Sequence, residues 1–464
     1  MVGPSVVCME DTEARWTADQ VLALAPDAAS RTAGTRLAAP APWSGTGAAG
    51  AAVWGLCAGS GSRPYQTVVD LSGPAFACSC PSRKFPCKHA LGLLLLWAEG
   101  DGGPVAAGAA APEWAEQWTA ARRKKAEAAA AAAGSDAEPE PDAAAAGLDA
   151  ARKRAERRAI RVEGGAAELE QRLTDLLRSG LAGSDRAGYQ QWDEIAARMV
   201  DAQAPGLATR VRQLGTAAGA GGDWPSRMLE EAGLLHLLAR GFLGRQGLPG
   251  PLAETVRTRI GFTVDAADVL AGPLVRAQWL VLAQYDTADE RLTTRRIWLY
   301  DAVGGQFALL LSFGAAGRAP ELTLPVGTVL DADLAFRPAA VPLRAVLGTR
   351  YGTSVPEDVP PGTTVGAALD SYGAALSQDP WLDAWPVLLT DVVPLPGQDR
   401  WRVADAAHDA AVPLLGADHW RLASISGGRP VTLFAEAGAT GFRPLAGWTR
   451  ASPRPIPLPT PRAP

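Results

Sequence analysis

The 464-residue sequence is poor in cysteine, poorer still in lysine, and has no long hydrophobic run. Five cysteines in a chain of this length make no disulfide framework, and three of them fall within ten positions, Cys78 to Cys87. In a reducing compartment such crowding favours metal binding over cross-linking. Only five of the 44 basic residues are lysines, a skew that reads as nucleotide-composition bias rather than a demand for guanidinium chemistry. The net charge of −5 excludes a polycation built to coat nucleic acid, so any such binding has to come from a local patch. The strongest apolar run, Leu91 to Ala98, is far too short to span a bilayer. The opening MVGPSVVCMEDTEARW lacks a basic region ahead of an apolar one. Together these absences predict a soluble, cytoplasmic protein with no membrane association.

What is present is enough apolar residue, 47%, to bury a sizeable core in at least one of two to four domains. Residues 1–100 read as one unit. Thr17 with Gln20 forms a capping-box signature before VLALA, and Asp27 is placed to cap a second helix reaching about Leu37. Val53 to Ala58 and Tyr65 to Leu71 flank the loop GSGSRP as a β-hairpin, whose second strand leads to Cys78. Residues 101–146 are low in complexity (AEPEPDAAAA) and read as a linker, with a helical stretch over Trp114 to Ala132. Residues 147–265 repeat apolar positions at helical spacing, as in ELEQRLTDLLRSGL. From 266 to 451 the period becomes two. QWLVLAQYD, RRIWLYDA, QFALLLSF, LTLPVGTVLDADLAF, RWRVADA and HWRLASISG are the strand candidates of a β-rich domain. Residues 452–464 form a proline-rich tail. No short internal repeat is evident. The expected class is α+β and multidomain: a small zinc-stapled hairpin and helix, a helical middle region and a β-rich C-terminal domain.

The staple is the segment Cys78-Ser-Cys80-Pro-Ser-Arg-Lys-Phe-Pro-Cys87-Lys-His89. Three thiolates and one imidazole make a common closed set for tetrahedral zinc. The first pair ends a strand and the second opens an apolar helix, so one ion would tie the two together. Pro81 and Pro86 limit backbone freedom between the pairs. Three thiolates exceed the two charges of zinc by one, giving Arg83, Lys84 and Lys88 an electrostatic reason to be nearby. A catalytic zinc needs an open coordination position, and four protein ligands close it. One structural zinc ion on Cys78, Cys80, Cys87 and His89 is the reading the spacing favours.

These residues, with the hairpin before them and the apolar helix after, resemble the SWIM zinc finger, whose pattern is CxCx(n)CxH. The match covers Val53 to Glu99, and the layout of finger, linker and long following region resembles stand-alone bacterial SWIM proteins. The resemblance implies DNA binding or protein–protein interaction. Unlike SWIM relatives joined to remodelling ATPases or transposases, this chain shows no nucleotide-binding loop and no helicase or transposase motif.

Other candidates weigh less. His236 lies in an apolar helix and reads as a core or boundary residue. His408 and His419, near Asp405 and Asp409, form no convincing acid–base pair. Cys8 is close to the terminus and Cys57 reads as a small buried residue. Asp331 and Asp333 fit an exposed strand face. Arg122 to Lys125 and Arg152 to Arg161 are balanced by acids, ten of each sign over residues 113–163. The sequence therefore predicts a non-enzymatic zinc-binding adaptor with a protein partner. DNA binding through Arg83, Lys84 and Lys88 is the alternative.

Overall fold

Thr17 and Gln20 open the N-terminal unit with a reciprocal cap. The Thr17 hydroxyl accepts from the Gln20 N–H at 3.3 Å, and the Gln20 carboxamide accepts from the Thr17 N–H at 2.8 Å. In this computed structural model the described residues are 15–458, apart from 27, 60–62, 72–74, 83, 85, 101, 135–140, 181–187, 219–223, 289–291, 316–319, 408–409, 417–418 and 450–451. The elements that follow are α1 (Ala18–Ala23), α2 (Ala28–Arg36), β1 (Trp43–Ala49), β2 (Ala52–Cys57), β3 (Tyr65–Asp70), β4 (Ala75–Cys78), α3 (Lys88–Ala98) and β5 (Ala106–Ala107). The strands form one sheet in the order β4-β3-β2-β1-β5, antiparallel except for the β1–β5 pair. The expected hairpin is β2–β3. The strand that reaches Cys78 is a further one, β4, and the sequence reading missed both it and β1. Asp27 lies outside the described residues.

Helix α3 is buried from His89 to Trp97. One side of it lies on the sheet and the other on α1 and α2, which is why its sequence is apolar all round rather than amphipathic. The α2–α3 crossing is close. A Cβ on Gly92 would fall 2.7 Å from the Leu37 Cβ, and one on Gly34 would fall 2.7 Å from the Leu91 Cβ. The segment read as a linker contains helix α4 (Glu113–Gly134). Trp114, Ala115 and Trp118 of its first turns pack on Trp54 and Val68, across the sheet from α3, and Arg122 reaches Asp70 at 3.2 Å.

The middle region comprises α5 (Pro141–Ser179), α6 (Gly188–Asp201), α7 (Pro205–Ala218), α8 (Trp224–Leu243), α9 (Gly250–Ile260) and the short α10 (Ala266–Leu270). Leu169, Leu173, Met199, Leu207, Val211, Leu235 and Phe242 share one core among these helices.

The β-rich part divides in two. Strands β6 (Leu274–Ala288), β7 (Leu292–Asp301), β8 (Gln306–Ala315), β9 (Val329–Phe336) and β10 (Arg344–Ser354) form a closed barrel. It closes because β10 pairs antiparallel with β9 and parallel with β8. After α11 (Val365–Gln378) come β11 (Trp385–Leu395), β12 (Arg402–Asp405), β13 (Ala411–Pro413), α12 (Trp420–Ser426), β14 (Val431–Gly438), β15 (Gly441–Trp448) and β16 (Ile456–Pro457). These strands make a sheet in the order β13-β12-β11-β14-β15-β16. HWRLASISG, expected as a strand, is α12. Leu422, Ile425 and Ser426 are inward at helical spacing, and Gly427 closes the helix at φ +53°.

One set of sheet side chains packs with α11 and α12, while Leu388, Phe434, Leu445 and Trp448 meet the outside of the barrel at Leu282, Trp298 and Leu309. Trp381, just before β11, enters the core of the helical region, and its Nε1 donates to the Leu234 carbonyl at 2.8 Å. Gln20 of α1 donates to the Val326 carbonyl at 3.0 Å, linking the N-terminal unit to the barrel.

Candidate metal centre

The site is assembled from a strand end and a helix start. Cys78 is the last residue of β4, held to β3 through Thr67 and Gln66, and Cys87 is the N-cap of α3. The knuckle between Cys78 and Cys80 is fixed by Ser79, whose N–H donates to the Gln66 carbonyl and whose hydroxyl accepts from the Gln66 N–H, both at 3.0 Å. The Ser82 hydroxyl accepts from the Lys84 N–H at 3.2 Å and turns the loop back towards Cys87.

The ligating atoms of Cys78, Cys80, Cys87 and His89 all lie within 4.8 Å of one another. His89 Nδ1 is 3.7 Å from Cys78 Sγ and 4.0 Å from Cys87 Sγ. Metal–ligand lengths of zinc sites imply tetrahedron edges of about 3.6 Å for nitrogen to sulfur and about 3.8 Å between sulfurs. The donor set therefore fits one zinc ion, with these four residues as its holders. Bound there, the ion would supply a cross-link between β4 and α3 and no open coordination position.

The backbone amides of Cys80, Ser82 and Ala90 are near enough to Cys78, Cys80 and Cys87 in turn to lower the pKa of each thiol. Such donors spread the thiolate charge and orient the ligands. Hydrogen bonding from the Cys87 thiol, then from His89 and the Thr67 hydroxyl, lowers the Cys78 thiol to about 3 against the cost of burial. Cys87, the donor in that pair and itself buried, is pushed up, and burial pushes Cys80 up as well. Without metal, Cys78 is the thiolate of the three. The Tyr65 ring packs on the His89 imidazole with centroids 4.9 Å apart, and His89 is 4% exposed. The sequence reading overlooked both Tyr65 and Thr67. They lie 13 and 11 residues before Cys78, and only the β3–β4 pairing brings them to the site.

Beside the metal centre runs a groove of about 620 Å³. Ala29 and Ala33 of α2, with Leu37 just after it, line one side; Ala58, Tyr65 and Pro81 line the other, with Lys88 and His89 at the metal end. Lys88 and Lys84 are exposed, and Arg83 lies outside the described residues.

The remaining candidates take structural places. Cys57 is fully buried near the centre but outside its ligand cluster. The Nδ1 of His236 lies 4.0 Å from Glu170, at the edge of the helical core. Asp405 accepts from the Val365 N–H at 2.9 Å, capping the start of α11. His419 is buried and edge-on to Trp401, while Cys8, His408 and Asp409 lie outside the described residues. Asp331 pairs with Arg276 at 2.9 Å, and Asp333 is buried, accepting from the Tyr351 hydroxyl at 2.6 Å. Both lie on the outer face of β9, but Tyr351 and Arg276 cover it, so only Asp331 is partly exposed. No helix among the described residues is long and apolar enough to cross a membrane.

Comparison with family models gives two matches: the SWIM zinc finger over residues 68–98 and the SWIM-associated four-helix bundle domain over residues 157–260. Comparison with curated proteins and with solved structures returned no match. The first matched span holds all four metal ligands with β4 and α3, and the second covers the core helices of the middle region. The chain thus carries a SWIM zinc finger with a Cys3His centre suited to one structural zinc ion, followed by a SWIM-associated helical bundle.

Proposed function

We propose that the protein is a non-enzymatic, zinc-dependent adaptor that docks a protein segment in the groove beside its finger. The observation that carries this reading is the lining of that groove. Ala29, Ala33, Leu37, Ala58 and Tyr65 offer small apolar and aromatic surface, and among the described residues of its walls Lys88 is the one lysine or arginine. A surface of that kind suits an extended or helical peptide with an acidic residue at the metal end. The zinc ion acts through structure: α2 and the knuckle form the two banks, and α3, which the ion anchors, lies behind both. Three free thiols at the site suit a reducing, cytoplasmic compartment.

Nucleic-acid binding is the second reading. Besides Lys84 and Lys88, α2 carries exposed Arg31 and Arg36 next to its groove-lining positions. A salt series with the zinc-loaded full chain and duplex DNA, single-stranded DNA or RNA separates the two, with Cys87→Ser as control. The adaptor reading predicts no saturable zinc-dependent binding even at low salt. It also predicts that a photo-crosslinker at position 29 captures a protein whose capture is lost when Ala33→Arg is added and on zinc removal. Saturable, salt-sensitive, zinc-dependent binding of nucleic acid would overturn it.

A further inference from the structure

A second cavity, of about 190 Å³, opens between the barrel and the C-terminal sheet, far in sequence from the finger. Its walls include Tyr285 and Arg296 of the barrel and Glu436 and Arg443 of the sheet, with Asp383 and Ala384 from the segment before β11. Glu436 is 5% exposed, and two short hydrogen bonds hold its Oε1, from the Tyr285 hydroxyl at 2.6 Å and from Trp298 Nε1 at 2.7 Å. Burial and the Glu436 charge push the Tyr285 hydroxyl up, so it stays a donor.

The two arginines are placed differently. Arg296 Nε is buried and 3.6 Å from Glu436 Oε1, yet it makes no hydrogen bond. Arg443 Nη1 is 3.9 Å from Glu436 Oε2, also beyond hydrogen-bond reach. Glu436 is thus near enough to attract both guanidinium groups but does not satisfy their donors. Two arginines against one glutamate leave a charge of +1 at the cavity floor. Asp383, at the rim, is 74% exposed and is shared with Arg259 and Arg210.

From this geometry we infer that the cavity between barrel and sheet binds one oxyanion group of a small ligand, a carboxylate or a phosphate, on Arg296 and Arg443. Guanidinium forks with free, partly desolvated donors match such groups in shape and charge. The volume holds about six waters at about 30 Å³ each, which suits a small metabolite rather than a cofactor. Glu436, Tyr285 and Trp298 are positioning residues that fix where the arginines stand.

Calorimetric titration of the full chain with inorganic phosphate and, separately, with malonate tests this. Saturable binding of either is expected, and the arm that binds more tightly identifies the group. Arg443→Gln is expected to weaken it about tenfold or more, with Arg443→Lys in between because it restores charge without the fork. Ala384→Leu, which fills the cavity without touching a charge, is expected to abolish binding and covers the case of a poorly folded arginine variant. No saturable binding in either arm, or binding unchanged in Arg443→Gln and Ala384→Leu, would overturn the inference.

Discussion

Cys78 sits among a hydroxyl, an imidazole and a second thiol, whereas Cys87 donates to Cys78 from a buried position. The consequence at the residue scale is a count of protons. Cys78, lowered to about 3, is already a thiolate near neutral pH, while Cys80 and Cys87 are pushed up and hold their protons. Loading zinc near neutral pH should therefore release about two protons, and zinc affinity should fall as pH falls because protons compete for the same sulfurs. Calorimetry in buffers of different ionisation enthalpy counts them; about three released would mean that Cys78 carries a proton too. Thr67 tests the same network from its edge. Thr67→Val removes the hydroxyl 3.3 Å from Cys78 Sγ at nearly constant volume. Loss of such an outer-shell partner should weaken zinc binding by about tenfold or more, read by competition with a chelator. An unchanged affinity would show that the hydroxyl does not support the ligand.

Among the elements, α3 decides the stability of the finger. Leu91, Leu93, Leu94 and Leu96 have no exposed surface, and each contributes roughly 1.5–3 kcal/mol by burial. The tight α2–α3 crossing makes Gly92→Ala a clean test. Its methyl group would meet the Leu37 Cβ and backbone, so the finger should lose about 1–3 kcal/mol of stability and melt at a lower temperature. A neutral effect would mean that α2 gives way easily. The sequence showed the ligand set, the capping box and α3 directly because each is local: spacing, a four-residue signature, an apolar run. It did not show β1, whose WSGTGAA has little β-branched character and is placed by pairing with β2. The α12 segment was misread because Trp420 is exposed and Trp401 lies edge-on to it, so its apolar residues do not mark one face as a lone helix would. The continuous apolar run of β6 hid which residues point into the barrel. Trp279 and Val281 face inward, while Leu280 and Leu282 face the neighbouring sheet.

On the scale of the whole molecule, the Gln20 hydrogen bond to the Val326 carbonyl joins the finger to the barrel, whereas the helical bundle and the C-terminal sheet interpenetrate at Trp381. Trp381 lies 4% exposed in the helical core, and Arg259 of α9 reaches the buried Asp379 at 2.7 Å. Trp381→Ala should cost about 3–5 kcal/mol and lower the transition of the bundle and the sheet together. Separate transitions, with only one shifted, would contradict that coupling. The finger should behave in the opposite way. Cys80→Ser or His89→Ala should lose zinc and unfold residues 15–107, releasing the start of α4 that packs on their sheet, while leaving the amide spectrum of the regions after the linker unchanged, since metal binding of this kind is worth about 10–16 kcal/mol to the unit that holds it. Native-like N-terminal signals in either variant would count against the ligand assignment.

The central claim is the Cys3His zinc centre, and X-ray absorption at the zinc edge of the purified full chain tests it most directly. The account predicts one zinc per chain with three sulfur neighbours at about 2.3 Å and one nitrogen at about 2.0–2.1 Å. Fewer than three sulfurs, an oxygen neighbour signalling an open position, or a chain that retains no zinc would contradict it.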